Sequence, residues 1–395
     1  MAAPRKLFSS RRQASAQLPV IGLEAEFTFF VGEEKRAPEE VFGTPQDFVR
    51  ARMLPRKGRS FQLPSGGAVY FDTGVIEVAT PIIEIEPGCC VRAGRTLWEQ
   101  IECIREELTV WERVHRTRVR LEGFSTHYNV SVPADRKFDA ARMRALARLL
   151  TYLLHPPVML LATNRLSTGV GVRPRGNRLE VTADFTPDPD LMIAAASLIT
   201  GVVLAVIDWP SHDLAELDRR GFPRIAGFRP RKHTSRQGFL ARFECFPRNP
   251  FEADVNAPDW LLADGRTRSL RQIAREISRP FRRAIRAVTD DAAYAHIFEV
   301  LDGRARSLLD FSERPPRYED AGRVIDWNRR CHRTLPRSRY ERIIHRILTH
   351  RPIRVGPFTY HAERMVGWYE IAFRNDQTGH RRVFTLDDLA AHCAL

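Results

Sequence analysis

VIGLEAEFTFF, residues Val20 to Phe30, sets two carboxylates, Glu24 and Glu26, into a run of β-branched and aromatic residues. Such a run predicts a strand. Successive side chains of a strand point to opposite faces. Gly22, Glu24, Glu26 and Thr28 therefore share one face, and Ile21, Leu23, Ala25, Phe27 and Phe29 share the other. Acids are poor strand residues and cost free energy to bury without a partner. Two of them on one side need either water or a compensating charge.

The same design recurs along the chain. GGAVYFDTGVIEVATPIIEI, from Gly66, predicts two strands joined near Gly74, with Tyr70 and Asp72 on one face and Glu77 able to join them past the turn. RLEGFSTHYNVSVP predicts a strand that ends at Pro133 and groups Ser125, His127, Asn129 and Ser131. GNRLEVTADF groups Arg178, Glu180, Thr182 and Asp184 against Leu179, Val181, Ala183 and Phe185. GFLARFECF, Gly238 to Phe246, predicts a further strand carrying Arg242 and Glu244.

One such strand alone reads as sheet with a solvated face. Solvated faces usually mix Lys, Thr, Gln and Ser, whereas these repeat acids at ExE spacing and add HxN and RxE. Crowded acids repel one another unless cations sit between them. Hard cations such as Mg²⁺ prefer carboxylate oxygens, with occasional His or Asn support. Magnesium is commonly shared with substrate phosphates, which Arg grips with two parallel bonds. An Mg–ATP site on a concave sheet face is the joint expectation. The chain has no GxxxxGK[ST] and no GxGxxG, which excludes a P-loop or a kinase-type nucleotide site.

Three helices are predicted between these strands. Residues 91–118 carry Leu97, Ile101, Ile104, Leu108 and Trp111 at helical spacing, and residues 138–162 carry Met143, Leu146, Leu149, Leu150 and Leu153. A third is opened by Asp188, Pro189 and Asp190 and is apolar nearly all round, which suits a buried core helix better than a membrane span. A soft boundary is expected at 315–335. Beyond Pro336 come a helix in SRYERIIHRIL, a strand in MVGWYEIAFR and a short helix near TLDDLAAH. The expected division is a basic flexible tail at 1–18, a catalytic domain at 19–320 and a small C-terminal domain at 335–395.

Composition narrows the classes further. The 395 residues are 43% apolar and 28% charged, an ordinary globular balance with enough length for a large core. The formal net charge is +14, and 57 of the 62 basic residues are Arg. Arg-rich coding or an anionic partner would each produce this. No compact Lys/Arg block with interleaved aromatics occurs, so nucleic acid is not the favoured partner. Cys89, Cys90, Cys103, Cys245, Cys331 and Cys393 form no CxxC pair, which points away from a disulfide framework or a zinc site. The absence of a signal-peptide pattern leads to an expectation of a cytoplasmic protein without a membrane partner.

GLEAEF, GGAVYFDTGVIEVATP, HYN and RLEVTADF together resemble the carboxylate–amine ligase superfamily, whose fold is that of glutamine synthetase. Within it the likeness is greatest to the Pup ligase and Pup deamidase/depupylase group. That group follows a GxExEF strand with G-A-R-L-Y-x-D and then P-E-Y-A-T-P-E. The counterparts here are Gly67, Ala68, Tyr70, Asp72, Glu77, Ala79, Thr80 and Pro81. Its R-L-H-V-x-x-x-D is matched by Arg178-Leu179-Glu180-Val181 and Asp184. The resemblance covers roughly residues 19 to 210. It departs at Val75-Ile76-Glu77, where the group has H-P-E, at Glu180, where it has His, and in the short loop VRPRGN.

The resemblance implies an α+β fold: a curved, mainly antiparallel sheet with helices packed on one face, plus a small C-terminal α/β appendage. It implies that Glu24, Glu26, Tyr70 and Glu77 hold Mg²⁺, that Asp72 is the catalytic carboxylate, and that Arg178 contacts phosphate and stabilises the transition state. His127 and Asn129 would line the nucleotide or metal site, and Glu180 and Arg242 are read beside them as further nucleotide-binding residues. The implied chemistry is phosphoryl transfer from ATP to a carboxylate, giving an acyl phosphate that an amine attacks. The substrates are then a carboxylate and an amine, with an acidic protein or peptide among those allowed. Two alternatives stand beside it: an amide or isopeptide hydrolase on the same nucleotide site, and a non-catalytic basic protein that binds nucleic acid.

Overall fold

The computed structural model describes residues 18–136, 138–233, 237–310, 331, 335–349 and 351–392. Strand β1 (Val20–Val31) realises the alternation of the opening stretch: Ile21, Leu23, Ala25, Phe27 and Phe29 are buried, while Glu24 and Glu26 are half-buried on the other face. Strands β2 (Ala68–Asp72) and β3 (Val75–Ala79) form a hairpin whose last pair is Asp72 with Val75. Its two turn residues, Thr73 and Gly74, have φ of 52° and 86°. That left-handed pair fits a type I′ turn, which matches strand twist.

Helix α1 (Cys89–His115) leads to β4 (Val119–Ser131), and α2 (Ala140–Ala162) leads to β5 (Val170–Arg175) and β6 (Arg178–Asp184). Helix α3 (Pro189–Ile207) follows, capped by the Asp188 side chain, and then β7 (Phe239–Ala241). Helices α4 (Leu270–Ser278), α5 (Arg282–Val288) and α6 (Asp291–Leu301) complete the first unit.

One sheet of twelve strands runs, in order, through Arg231–Lys232, β7, β5, β6, β4, β1, β3, β2, Phe61–Gln62 and Leu54–Pro55, with two short strands also paired to β1. The ladders that build it are antiparallel. Helices α1, α2 and α3 pack on its apolar face, and α3 is further wrapped by α5 and α6. Helices α2 and α3 are long and apolar enough to cross a bilayer by length and composition, yet each has 83% of its apolar window buried within the protein. Here they are the inner layer of the core.

The β1–β4 ladder slips by one residue between Glu26 and Phe27, so Phe124 bulges out of register and is exposed. Bulges bend and twist a strand locally. Gly123, beside the bulge, has no room for a side chain: a Cβ there would lie 2.3 Å from the Phe185 ring.

Two expectations need correction. The strand expected over Gly238–Phe246 ends at Ala241, the last residue with a ladder partner (Val170), and Phe243–Cys245 turn as a 3-10 helix. The strand expected in MVGWYEIAFR is broken: one strand ends at Met365 and the next starts at Glu370. The amides of Val366 and Gly367 both donate to the Glu370 carbonyl, which folds Gly367–Trp368–Tyr369 into a turn.

That turn belongs to a C-terminal unit made of α7 (Arg339–Leu348), β8 (Ile353–Val355), β9 (Phe358–Met365), β10 (Glu370–Asn375), β11 (Arg381–Thr385) and α8 (Leu386–His392). It has its own core of Tyr340, Ile343, Ile344, Ile371, Phe373, Phe384 and Leu389. The core also takes in Leu54, and Val20 and Ile82 pack against it, so the unit is seated on the sheet. Buried Glu84 fixes the seat by accepting the Tyr340 amide at 2.9 Å. The expected tail and nearly all of the expected boundary at 315–335 lie outside the described residues.

Candidate active site

The ladders place the polar side chains in rows across the sheet. One row reads Tyr70, Glu77, Glu26, Ser125, Asp184. The next reads Gln62, Ala68, Ala79, Glu24, His127, Thr182. A third joins Gly22, Asn129, Glu180 and Arg173, and a fourth joins Ser131, Arg178 and Arg175. Neighbouring strands of the sheet thus bring their polar residues to one face, the face away from the helices.

Two overlapping clusters result. Glu24, Glu77 and His127 each offer a ligand atom, all within 4.8 Å of one another, and so do Glu26, Asp72 and Glu77. Tyr70 joins through its hydroxyl, which donates to Glu77 Oε1 at 2.5 Å. His127 Nδ1 lies 3.2 Å from Glu24 Oε2, and its Nε2 lies 3.1 Å from Ser125 Oγ. Ser125 in turn donates to Glu26 Oε2 at 2.6 Å. Asp72 is exposed at the rim, next to its own hairpin turn.

Burial and like charge work against these acids. Burial, then the Glu24 charge, with Glu26 and Asp72 behind, pushes the Glu77 carboxyl up to about 9 despite the Tyr70 hydrogen bond. Burial, Glu24 and Glu77 likewise push the Tyr70 phenol far up. Burial would also raise Glu24, but the hydrogen bond and charge of His127, with Arg178 and Asn129, outweigh it and hold Glu24 below its ordinary value. His127 is raised: burial disfavours its proton, but the Glu24 hydrogen bond and the Glu26 and Glu24 charges win. Carboxylates this close together ionise jointly when a cation lies between them. The donor set is carboxylate oxygen with one imidazole, which fits a hard divalent ion such as Mg²⁺.

A cation-rich hairpin flanks the acids. The turn Gly176–Asn177 joins β5 to β6 and sets Arg173, Arg175 and Arg178 on the polar face. Arg178 Nε donates to Asn129 Oδ1 at 2.9 Å. Glu180 is fully buried and is held by Arg173 Nη2 at 2.5 Å and by Arg175 Nε at 3.1 Å. It serves the arginines. Arg242 stands apart, just past the end of β7, where its Nε lies 3.4 Å from Glu244.

A cavity of about 580 Å³ opens beside the acids. Its walls include Glu24, Asn129, Arg178, Ile82, Val132 and Trp368. Size and lining suit a drug-sized ligand with one anionic end. Trp368, whose spacing alone suits a core residue, comes from the Gly367–Tyr369 turn of the C-terminal unit. Arg56 is also missed by periodicity. It stacks on Trp368 with its guanidinium carbon 3.8 Å from the ring centroid.

No protein-family model matches the sequence, and no curated protein matches it. Among solved structures, one similar in outline is described as the "Crystal structure of the complex between Prokaryotic Ubiquitin-like Protein Pup and its Ligase PafA". The alignment covers 95% of this chain and 92% of that one, with a TM-score of 0.49 and 12% sequence identity.

Proposed function

We propose that the protein is an ATP- and Mg²⁺-dependent carboxylate–amine ligase that works in the cytoplasm. The observation that carries this reading is the pair of acid clusters sharing Glu77, set beside a cavity walled by Arg178. The sequence resemblance to the carboxylate–amine ligases supports it independently. In the reaction a substrate carboxylate oxygen bonds to the γ-phosphorus of ATP as the β–γ bridge breaks and ADP departs. An amine then attacks the acyl carbon, loses a proton, and displaces phosphate.

Glu24, Glu26 and Glu77, with Tyr70, would hold the metal. Bound there, magnesium supplies charge neutralisation and orientation for the phosphates. Arg178, fixed by Asn129, points its fork into the cavity wall where phosphate oxygens would lie. Such a donor, set before the reaction, stabilises charge as it develops. Glu180 keeps Arg173 and Arg175 from collapsing onto the acids. Asp72 sits at the rim, within reach of Glu26 and Glu77, and is placed to take the proton of an amine arriving from solvent. The amine and carboxylate are assigned by class only, a protein or peptide acceptor being compatible with the open rim.

Thermal stabilisation by Mg–ATP tests the reading. The parent protein should respond. Glu24→Gln should lose the response, and Asp72→Asn should keep it while losing turnover. A parent protein indifferent to Mg–ATP would sink the proposal.

A second reading, amide hydrolysis, draws on one contact chain: Ser125 Oγ, His127 and Glu24 stand in the order nucleophile, base, orienter. The hydrogen bonds run against it. Ser125 spends its proton on Glu26 Oε2, so its hydroxyl hydrogen is not directed at the imidazole. Ser125→Ala should therefore leave ligase turnover largely intact. Its abolition would favour the hydrolase.

A further inference from the structure

Arg56 is placed unlike any other cation of the site. It lies outside the regular strands, between Leu54–Pro55 and Phe61–Gln62 at the far edge of the sheet. Its Nη1 donates to Gln62 Oε1 at 2.5 Å, and Gln62 is itself held by donating to the Gly66 carbonyl at 2.5 Å. One face of the guanidinium is covered by Trp368. Among the described residues no carboxylate oxygen comes within 4.0 Å of it, so its fork is only partly used. Burial pulls Arg56 down to about 10, and the Tyr70 and Glu24 charges, within electrostatic reach, act to restore it.

Ala68 and Ala79, both buried, stand between Gln62 and Glu24 in their row and are its smallest side chains. Gly66 and Gly67 lie just beyond. Trp368, which covers Arg56, also walls the cavity that takes in Glu24 and Arg178. The opposite side of the cluster already has the Arg173–Arg175–Arg178 hairpin, three cations against the single acid Glu180. A ligase must hold two anions at once, a polyphosphate and a carboxylate. The triple-Arg side suits the polyphosphate. The single fork on the alanine side suits one monoanionic group.

We propose that Arg56, backed by Trp368, is the clamp for the substrate's carboxylate, so that the C-terminal unit completes the carboxylate half of the site. This inference rests on the ligase reading for its assignment of the polyphosphate side. A planar fork against a carboxylate gives two parallel hydrogen bonds that a lysine cannot reproduce. A stacked ring holds the fork's plane, as cation–π contacts do. Arg56 is a binding residue in this scheme, and Trp368 and Gln62 are positioning residues.

The test reads binding apart from turnover. Tryptophan emission of the full chain is titrated with glutarate, a carboxylate on an aliphatic stem, and the change missing from Trp368→Phe is assigned to Trp368. Arg56→Lys keeps the charge and loses the fork, and its fold is checked by circular dichroism. The expected results are a saturable change in the parent, a midpoint raised at least tenfold in Arg56→Lys, and an Mg–ATP thermal shift unchanged in that variant. Four results would overturn the clamp. They are no saturable change in the parent, a midpoint in Arg56→Lys within twofold of the parent's, inorganic phosphate outcompeting glutarate at Trp368, or loss of the Mg–ATP shift in Arg56→Lys. Failure of the nucleotide reading looks different: the parent then ignores Mg–ATP while glutarate still reports through Trp368.

Discussion

Tyr70 donates its phenolic hydrogen to Glu77 from the directly opposite position of the β2–β3 ladder, at 2.5 Å. The bond ties the carboxyl shared by both acid clusters to the strand that carries Asp72. It does not suffice to keep that carboxyl ionised. Burial and the surrounding acids push Glu77 up to about 9, so at pH 7 the metal-free protein holds a proton there. A divalent ion must displace it. Mg²⁺ binding at pH 7 should release close to one proton, and affinity should climb with pH until about 9. Calorimetry in two buffers of different ionisation enthalpy measures this. Zero proton release would remove Glu77 from the ligand set.

The same carboxyl has a consequence for folding. Its folded value lies above its ordinary value of 4.5, so the folded chain binds the extra proton between those limits. Stability of the metal-free protein is therefore eroded as pH rises from about 4.5 to about 9. Glu77→Gln should be more stable than the parent at pH 8 without metal, and should not bind Mg²⁺ with proton release. Urea unfolding with and without Mg²⁺ separates the two effects. A variant less stable than the parent at pH 8 would contradict the assignment.

Glu180 is buried between Arg173 and Arg175, and removing its charge strands both. Breaking one partner of a buried pair costs about 3–5 kcal/mol. Glu180→Gln should approach that loss in urea unfolding. A change below about 1 kcal/mol would mean that water already screens the pair.

His155 reports on the core. It is buried in α2, with Nδ1 2.8 Å from the Thr151 carbonyl and its ring stacked on Phe228 at 4.1 Å. Burial pushes it down to about 3, so it stays neutral in the fold while the unfolded chain takes a proton near its ordinary 6.5. Its contribution is complete above that value and is lost as pH falls toward about 3, at up to about 1.4 kcal/mol per pH unit. The stability gap between the parent and His155→Leu should narrow from pH 7 to pH 4.5. A gap independent of pH would exclude His155 from the acid response.

Gly67 belongs to the segment whose motif the sequence resemblance uses, and the packing explains it. A Cβ there would lie 2.4 Å from the Ala79 carbonyl and 2.4 Å from Gln100 Cδ. Gly67→Ala should cost about 1–3 kcal/mol as the hairpin is forced from its neighbours. Thermal unfolding checks the loss, and a neutral variant would show that both the Ala79 backbone and Gln100 give way freely.

The polar face was legible because it depends only on strand geometry. Glu24, Glu26, Tyr70, His127, Asn129 and Arg178 fall on one face by alternation, and the apolar complement Ile21, Leu23, Phe27 and Phe29 forces that face outward. The side of Glu77 depended on the β2–β3 turn, and the two-residue loop Thr73–Gly74 puts it opposite Tyr70. Alternation misled where ladder partners ended, at Ala241, and where a turn interrupted a strand-like pattern, at Gly367–Tyr369.

By itself the sequence determined which side chains share a face, because facing is set by bonds within one strand. Only the tertiary structure decided which of those side chains meet. The register of β5 on β6 hands Glu180 to Arg173, and the seating of the C-terminal unit brings Trp368 onto Arg56. The first is set by the register of one hairpin, and the second joins positions far apart in the chain. The physical cause of the second is the burial of the C-terminal unit's hydrophobic core against the sheet, which no local pattern encodes.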